Sequence, residues 1–95
     1  MKTTITEILA TRITNQEILT LNNGYCAIVG LQTNTGREKI VLKSHNINYL
    51  CEFLIRVRAG KKIWKKILPN DARLDFYKQL REQMGKMNFG CRFLN

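Results

Sequence analysis

His45 is the only histidine among the 95 residues, so proton transfer near neutral pH and imidazole ligation of a metal both begin there. Together with Cys26, Cys51 and Cys91 it makes up the three-cysteine, one-histidine inventory of a zinc site. The closely spaced ligand pairs of such sites are missing, and no metal is expected. A cysteine–histidine nucleophile pair is equally unsupported, because nothing near His45 in sequence identifies its partner. The acidic residues are scattered, and Asp71 and Asp75 are explained by the positive end of a helix. No phosphate-cradling or dinucleotide-binding glycine pattern is present. These residues argue against an enzyme and against a cofactor.

The cations carry more information. Lys61, Lys62, Lys65 and Lys66 alternate with Ile63, Trp64, Ile67 and Leu68, and Arg56 and Arg58 lie just upstream. Wound at about 100° per residue, the four lysines fall on one arc and the apolar residues on the opposite one. The spacing predicts a lysine ridge over an apolar foot. Lysine attracts phosphate as a flexible point charge, so such a ridge suits a nucleic-acid backbone and does not read bases. It would equally suit an acidic protein surface, with Trp64 and the tail residues Phe89 and Phe93 as anchors.

These residues are positioned by elements that can be read in outline. Thr4-Ile5-Thr6-Glu7 has the form of a capping box, and Ile5, Ile8 and Leu9 share a helical face, so a short helix over about 5–12 is expected. A strand there is nearly as compatible with the β-branched residues. Asn23-Gly24 signals a hairpin between 17–21 and 25–33. A three-residue turn at Asn34-Thr35-Gly36 then leads to a third strand over 37–43. Ser44 or Asn46 can cap a helix carrying Ile47, Leu50, Cys51 and Leu54, which runs to Ala59 and stops at Gly60. Helical character resumes over 61–68, and Pro69-Asn70-Asp71 starts a last helix striped by Tyr77, Leu80, Met84 and Met87. The expected fold class is α+β: a three-stranded antiparallel β-meander with a short N-terminal helix and two to three C-terminal helices packed on one face. It forms one small domain over 1–95.

The turns set a register, and the register sorts side chains by face. Pairing Asn22 with Tyr25 and Thr33 with Arg37 places Leu19, Leu21, Cys26, Ile28, Ile40 and Leu42 on a core face. The opposite face then mixes Ile18, Thr20, Tyr25, Ala27, Val29, Leu31 and Val41 with Arg37, Lys39 and Lys43. Three roles suit it: an outer face partly covered by the N-terminal segment, a homodimer interface, or a nucleic-acid platform. In the last, Tyr25 stacks on a base while Lys39 and Lys43 hold phosphates.

The balance of 16 Lys+Arg against 7 Asp+Glu gives a formal charge of +9, which favours polyanionic partners. Three widely spaced cysteines do not form a disulfide framework. The first residues lack the apolar core of a signal peptide, and no run is long enough to span a membrane. A reducing cytoplasm is the expected compartment. The abundance of Asn, Ile and Lys suits an AT-rich genome such as many phages carry. The order of helix, three strands and helix is similar to that of the double-stranded RNA-binding domain. However, Lys43-Ser44-His45-Asn46 has one lysine where that domain's second helix opens on a cluster. The expected function is sequence-tolerant binding of DNA or RNA through Arg56, Arg58, Lys61, Lys62, Lys65 and Lys66, with Lys39, Lys43 and Tyr25 as a second patch. The alternative is a small regulator or inhibitor, phage-encoded, that docks on an acidic protein.

Overall fold

The computed structural model describes residues 4–87. Its elements run α1 (Ile5–Arg12), β1 (Ile13–Leu21), β2 (Gly24–Thr33), β3 (Gly36–Ser44), α2 (Ile47–Arg58) and α3 (Asn70–Met84). The strands form one antiparallel meander in the order β1-β2-β3, so the α+β arrangement and the short N-terminal helix stand as expected.

Local chemistry explains the boundaries. The capping box at α1 is complete: the Glu7 N–H donates to Thr4 Oγ1 and the Thr4 N–H to the Glu7 carboxylate, both at 3.2 Å. Asn46 caps α2, its Oδ1 accepting from the N–H groups of Asn48 and Tyr49. Gly60 ends α2 at φ 69°, a conformation a Cβ disfavours. The Gly60 N–H then reaches the Val57 carbonyl and the Lys61 N–H the Arg56 carbonyl, which satisfies two of the helix's last acceptors.

Both hairpins differ from the expected turns. β1 and β2 join through Asn22-Asn23, with Gly24 already paired to Leu21. A Cβ on Gly24 would lie 3.0 Å from the Ser44 carbonyl oxygen, so this glycine serves a close strand approach rather than the turn itself. β2 and β3 join through Asn34-Thr35, with Gly36 paired to Thr33. Thr33 Oγ1 closes that loop, donating to the Gly36 carbonyl at 3.0 Å and accepting from the Thr35 N–H.

The first difference is a shift of two residues and keeps the faces of β1 and β2. The second is a shift of one and turns β3 over. Ile40 and Leu42 therefore lie beside Ala27, Val29 and Leu31, facing the helices. Leu19, Leu21, Cys26 and Ile28 lie on the opposite face with Arg37, Lys39, Val41 and Lys43, so the expected core face and mixed face are each corrected. Burial selects this register, because it gathers five apolar side chains on one side.

The core is completed by Leu50, Phe53, Leu54 and Val57 of α2 and Phe76, Leu80 and Met84 of α3, spaced as single helical stripes. Phe53 stacks on Phe76 with centroids 4.6 Å apart and meets Tyr77 edge-on at 5.7 Å. Ile5, Ile8 and Leu9 of α1 join the same cluster. Ile47, grouped by its spacing with Leu50 and Leu54, is exposed.

The outer edge of β3 is closed in an unusual way. The Gln83 side chain accepts from the Val41 N–H and donates to the Val41 carbonyl, both at 2.7 Å. One turn earlier, Gln79 does the same at Lys43, at 2.8 and 3.0 Å. Two amides one helical turn apart thus imitate a fourth strand along part of the edge.

Candidate nucleic-acid interface

Segment 61–69 is not a helix, which corrects the expected lysine-ridge helix. It is an irregular connection with one turn, closed by the N–H groups of Ile67 and Leu68 on the Trp64 carbonyl at 3.0 and 3.2 Å. The chain is stopped upstream by the Gly60 cap and restarted downstream by Pro69, leaving too few residues to repay a new helix nucleus.

The apolar foot is present except for Trp64, with Ile67 half-buried against the core. Ile63 and Leu68 are buried and hold the connection to the core, and Arg73 reaches back to the Ile63 carbonyl. Trp64 points outward with 53 % of its surface exposed. Around it in sequence Lys61, Lys62, Lys65 and Lys66 are all exposed. Arg58 is exposed at the end of α2 and Arg56 is half-buried. No acidic residue lies between Glu52 and Asp71, so no carboxylate within the stretch offsets these cations. The site therefore combines a bare indole with a local excess of positive charge.

The second expected patch is not assembled as foreseen. Lys39 and Lys43 are exposed on the open face of the sheet with Arg37. Tyr25 lies on the helix-covered face, half-buried and packed against the core, away from Arg37 and Lys39, and meets Lys43 only in the cleft beside the first hairpin. The one-residue register difference in the second hairpin puts the aromatic on the opposite sheet face from Arg37 and Lys39. Phe89 and Phe93 lie outside the described residues.

Sequence reasoning missed a cleft of about 540 Å³ between the first hairpin, the start of α2 and the start of α3. Tyr25, Tyr49, Lys43, His45, Asp71 and Asp75 line it. His45 Nδ1 is 2.9 Å from the Asn23 carbonyl oxygen, which only accepts, so Nδ1 carries a proton. The carboxylates beside Lys43 deny the cleft the single sign of charge that gathers phosphate. Cys26 is buried on β2 and Cys51 is half-buried on α2. Among the described residues, no three His, Cys, Asp or Glu side chains are grouped to hold a metal ion. No helix among them is long and apolar enough to cross a membrane.

Comparison with known proteins leaves this surface to speak for itself: no family model, curated protein sequence or solved structure matches the chain.

Proposed function

We propose that the chain binds nucleic acid with little regard for sequence, and that it acts by binding rather than catalysis. Arg58, Lys61, Lys62, Lys65 and Lys66 neutralise phosphates, Arg56 adds to the field behind them, and an unpaired base stacks on Trp64. The observation that carries this reading is the exposed Trp64 within an acid-free stretch of cations. Aromatic stacking tolerates any base, and lysine ammonium groups follow a backbone without reading it. Because a paired base offers no free face, single strands are preferred to duplex. Lys39, Lys43 and Arg37 extend the positive field on the open sheet face.

Anisotropy of labelled oligonucleotides at low salt tests this directly. Trp64→Ala is expected to weaken single-strand binding by about 1–3 kcal/mol and to leave duplex binding nearly unchanged. Equal losses on both substrates, or no binding of either at micromolar protein, would refute the stacking role. An acidic protein surface remains the second reading, because an exposed tryptophan beside cations is also a typical interface anchor. A single stoichiometric protein partner that survives nuclease treatment would favour it.

A further inference from the structure

The cleft beside the first hairpin holds a combination of groups that the cation stretch lacks. At about 540 Å³ it falls within the range of about 300–1,000 Å³ usual for a small-ligand site. Its walls are fixed to one another. His45 Nδ1 donates to the Asn23 carbonyl at 2.9 Å, which ties the β3–α2 junction to the hairpin. Gln79 Nε2 donates to Asp75 Oδ2 at 2.8 Å and to the Lys43 carbonyl at 3.0 Å, which ties α3 to β3.

Within those walls several groups are uncommitted. Tyr25 and Tyr49 are half-buried against the core, and neither hydroxyl has a hydrogen-bond partner among the described residues. The Asp71 carboxylate is likewise unpartnered, whereas Asp75 already accepts from Gln79. The Lys43 ammonium group forms no ion pair with either aspartate. Phosphate would meet two carboxylates here. The cleft instead suits a neutral, planar group that gives hydrogen bonds to Asp71, takes one from Lys43 and lies against phenol rings.

Among nucleobases, guanine presents that edge. Its N1–H and N2 amino group are adjacent donors that match the two oxygens of one carboxylate, and O6 beside them accepts. Adenine and cytosine place an acceptor nitrogen next to their amino group, which a carboxylate repels. Thymine and uracil set one N–H between two carbonyls. The cleft is also joined to the cations. Asp71 follows the basic stretch by only Pro69 and Asn70, and Arg73 donates to Asn70 Oδ1 at 2.6 Å and to the Ile63 carbonyl at 3.5 Å.

We infer that the cleft takes one guanine base from a bound single strand. Asp71 accepts from N1–H and the N2 amino group, Lys43 donates to O6, and the purine packs on Tyr25 and Tyr49. This rests on the nucleic-acid binding proposed above and gives an otherwise sequence-tolerant contact one preferred base.

Anisotropy of labelled oligothymidine with and without a central guanine tests it. The guanine is expected to tighten binding about fivefold to tenfold, the lower part of what a bidentate pair provides, because Asp71 is exposed. Hypoxanthine in its place lacks the amino group and is expected to lose most of that gain. Asp71→Asn offers one acceptor and one donor, and is expected to bring the ratio of the two affinities to about one. Equal binding of both strands by the wild type overturns the inference and leaves the role of Trp64 standing. A guanine gain that survives in Asp71→Asn overturns it too. Failure to bind any strand refutes the phosphate and tryptophan contacts instead. Guanosine added alone then decides the cleft. Shifts of the Tyr49 and Ala72 amide resonances that Asp71→Asn abolishes support it, and unmoved resonances overturn it.

Discussion

Replacing Gln83 with Ala is expected to destabilise the fold far more than a surface glutamine ordinarily would. The side chain makes two backbone bonds of 2.7 Å to Val41, in a partly buried setting. Each is worth about 0.5–1.5 kcal/mol net, so their joint loss costs about 1–3 kcal/mol. For a domain this size that lowers the melting temperature by roughly 4–8 °C per kcal/mol. Gln79→Ala breaks the matching bonds to Lys43, but these are exposed and water replaces them, so its cost is expected to be smaller. Gln83→Glu is the sharper control. Its carboxylate still accepts from the Val41 N–H but faces the Val41 carbonyl with no proton to give. It is expected to be at least as damaging as alanine although its size is unchanged. Urea unfolding followed by circular dichroism measures all three, and hydrogen exchange at the Val41 amide reports the site. A Gln83→Ala variant within about 0.5 kcal/mol of the wild type would refute this reasoning, as would a Gln83→Glu variant of wild-type stability.

Other substitutions test the remaining devices by the same unfolding measurement. Gly60→Ala forces a Cβ into a left-handed position and is expected to cost about 1 kcal/mol, although the space beside Ala10 would admit the methyl group. Asn46→Ala removes the cap of α2 and is expected to cost about 1 kcal/mol, with Asn46→Asp close to neutral. Phe53→Ala empties the stack on Phe76 and is expected to cost about 3–5 kcal/mol. For binding, changing Lys61, Lys62, Lys65 and Lys66 together to Gln should flatten the log–log salt dependence on single strands by about 3, since each phosphate contact contributes about 0.7.

Much of the fold was legible because its signals are local. The Thr4–Glu7 capping box, the Asn46 cap, the Gly60 stop and the striped spacing of Leu50 and Leu54 each depend on residues within one or two helical turns. The hairpin registers were not legible. Asn23-Gly24 and Asn34-Thr35-Gly36 each admit more than one turn, and the choice depends on contacts across strands, such as Gly24 against Ser44 and Thr33 within its own loop. That single ambiguity turned β3 over and put Tyr25 on the opposite sheet face from Lys39 and the Lys43 side chain, which meets it only at the cleft. The basic stretch was located correctly but given the wrong conformation. A helical wheel pairs Trp64 with Ile63 and Leu68, whereas the single turn between Gly60 and Pro69 buries those two and turns Trp64 out. The glutamine clamp was invisible in sequence, because Gln79 and Gln83 read as solvent-facing positions until the strand edge lies beside them.

Trp64 is the only tryptophan, so its emission reports the proposed contact without a label. Titrating the wild-type chain with a single-stranded oligonucleotide at stepped salt concentrations measures stacking and charge together. The expected result is saturable quenching, with affinity falling along a log–log slope of about −3 to −4 for four to six phosphate contacts. Emission that does not change on binding, or an affinity indifferent to salt, would contradict a phosphate-tracking site centred on Trp64.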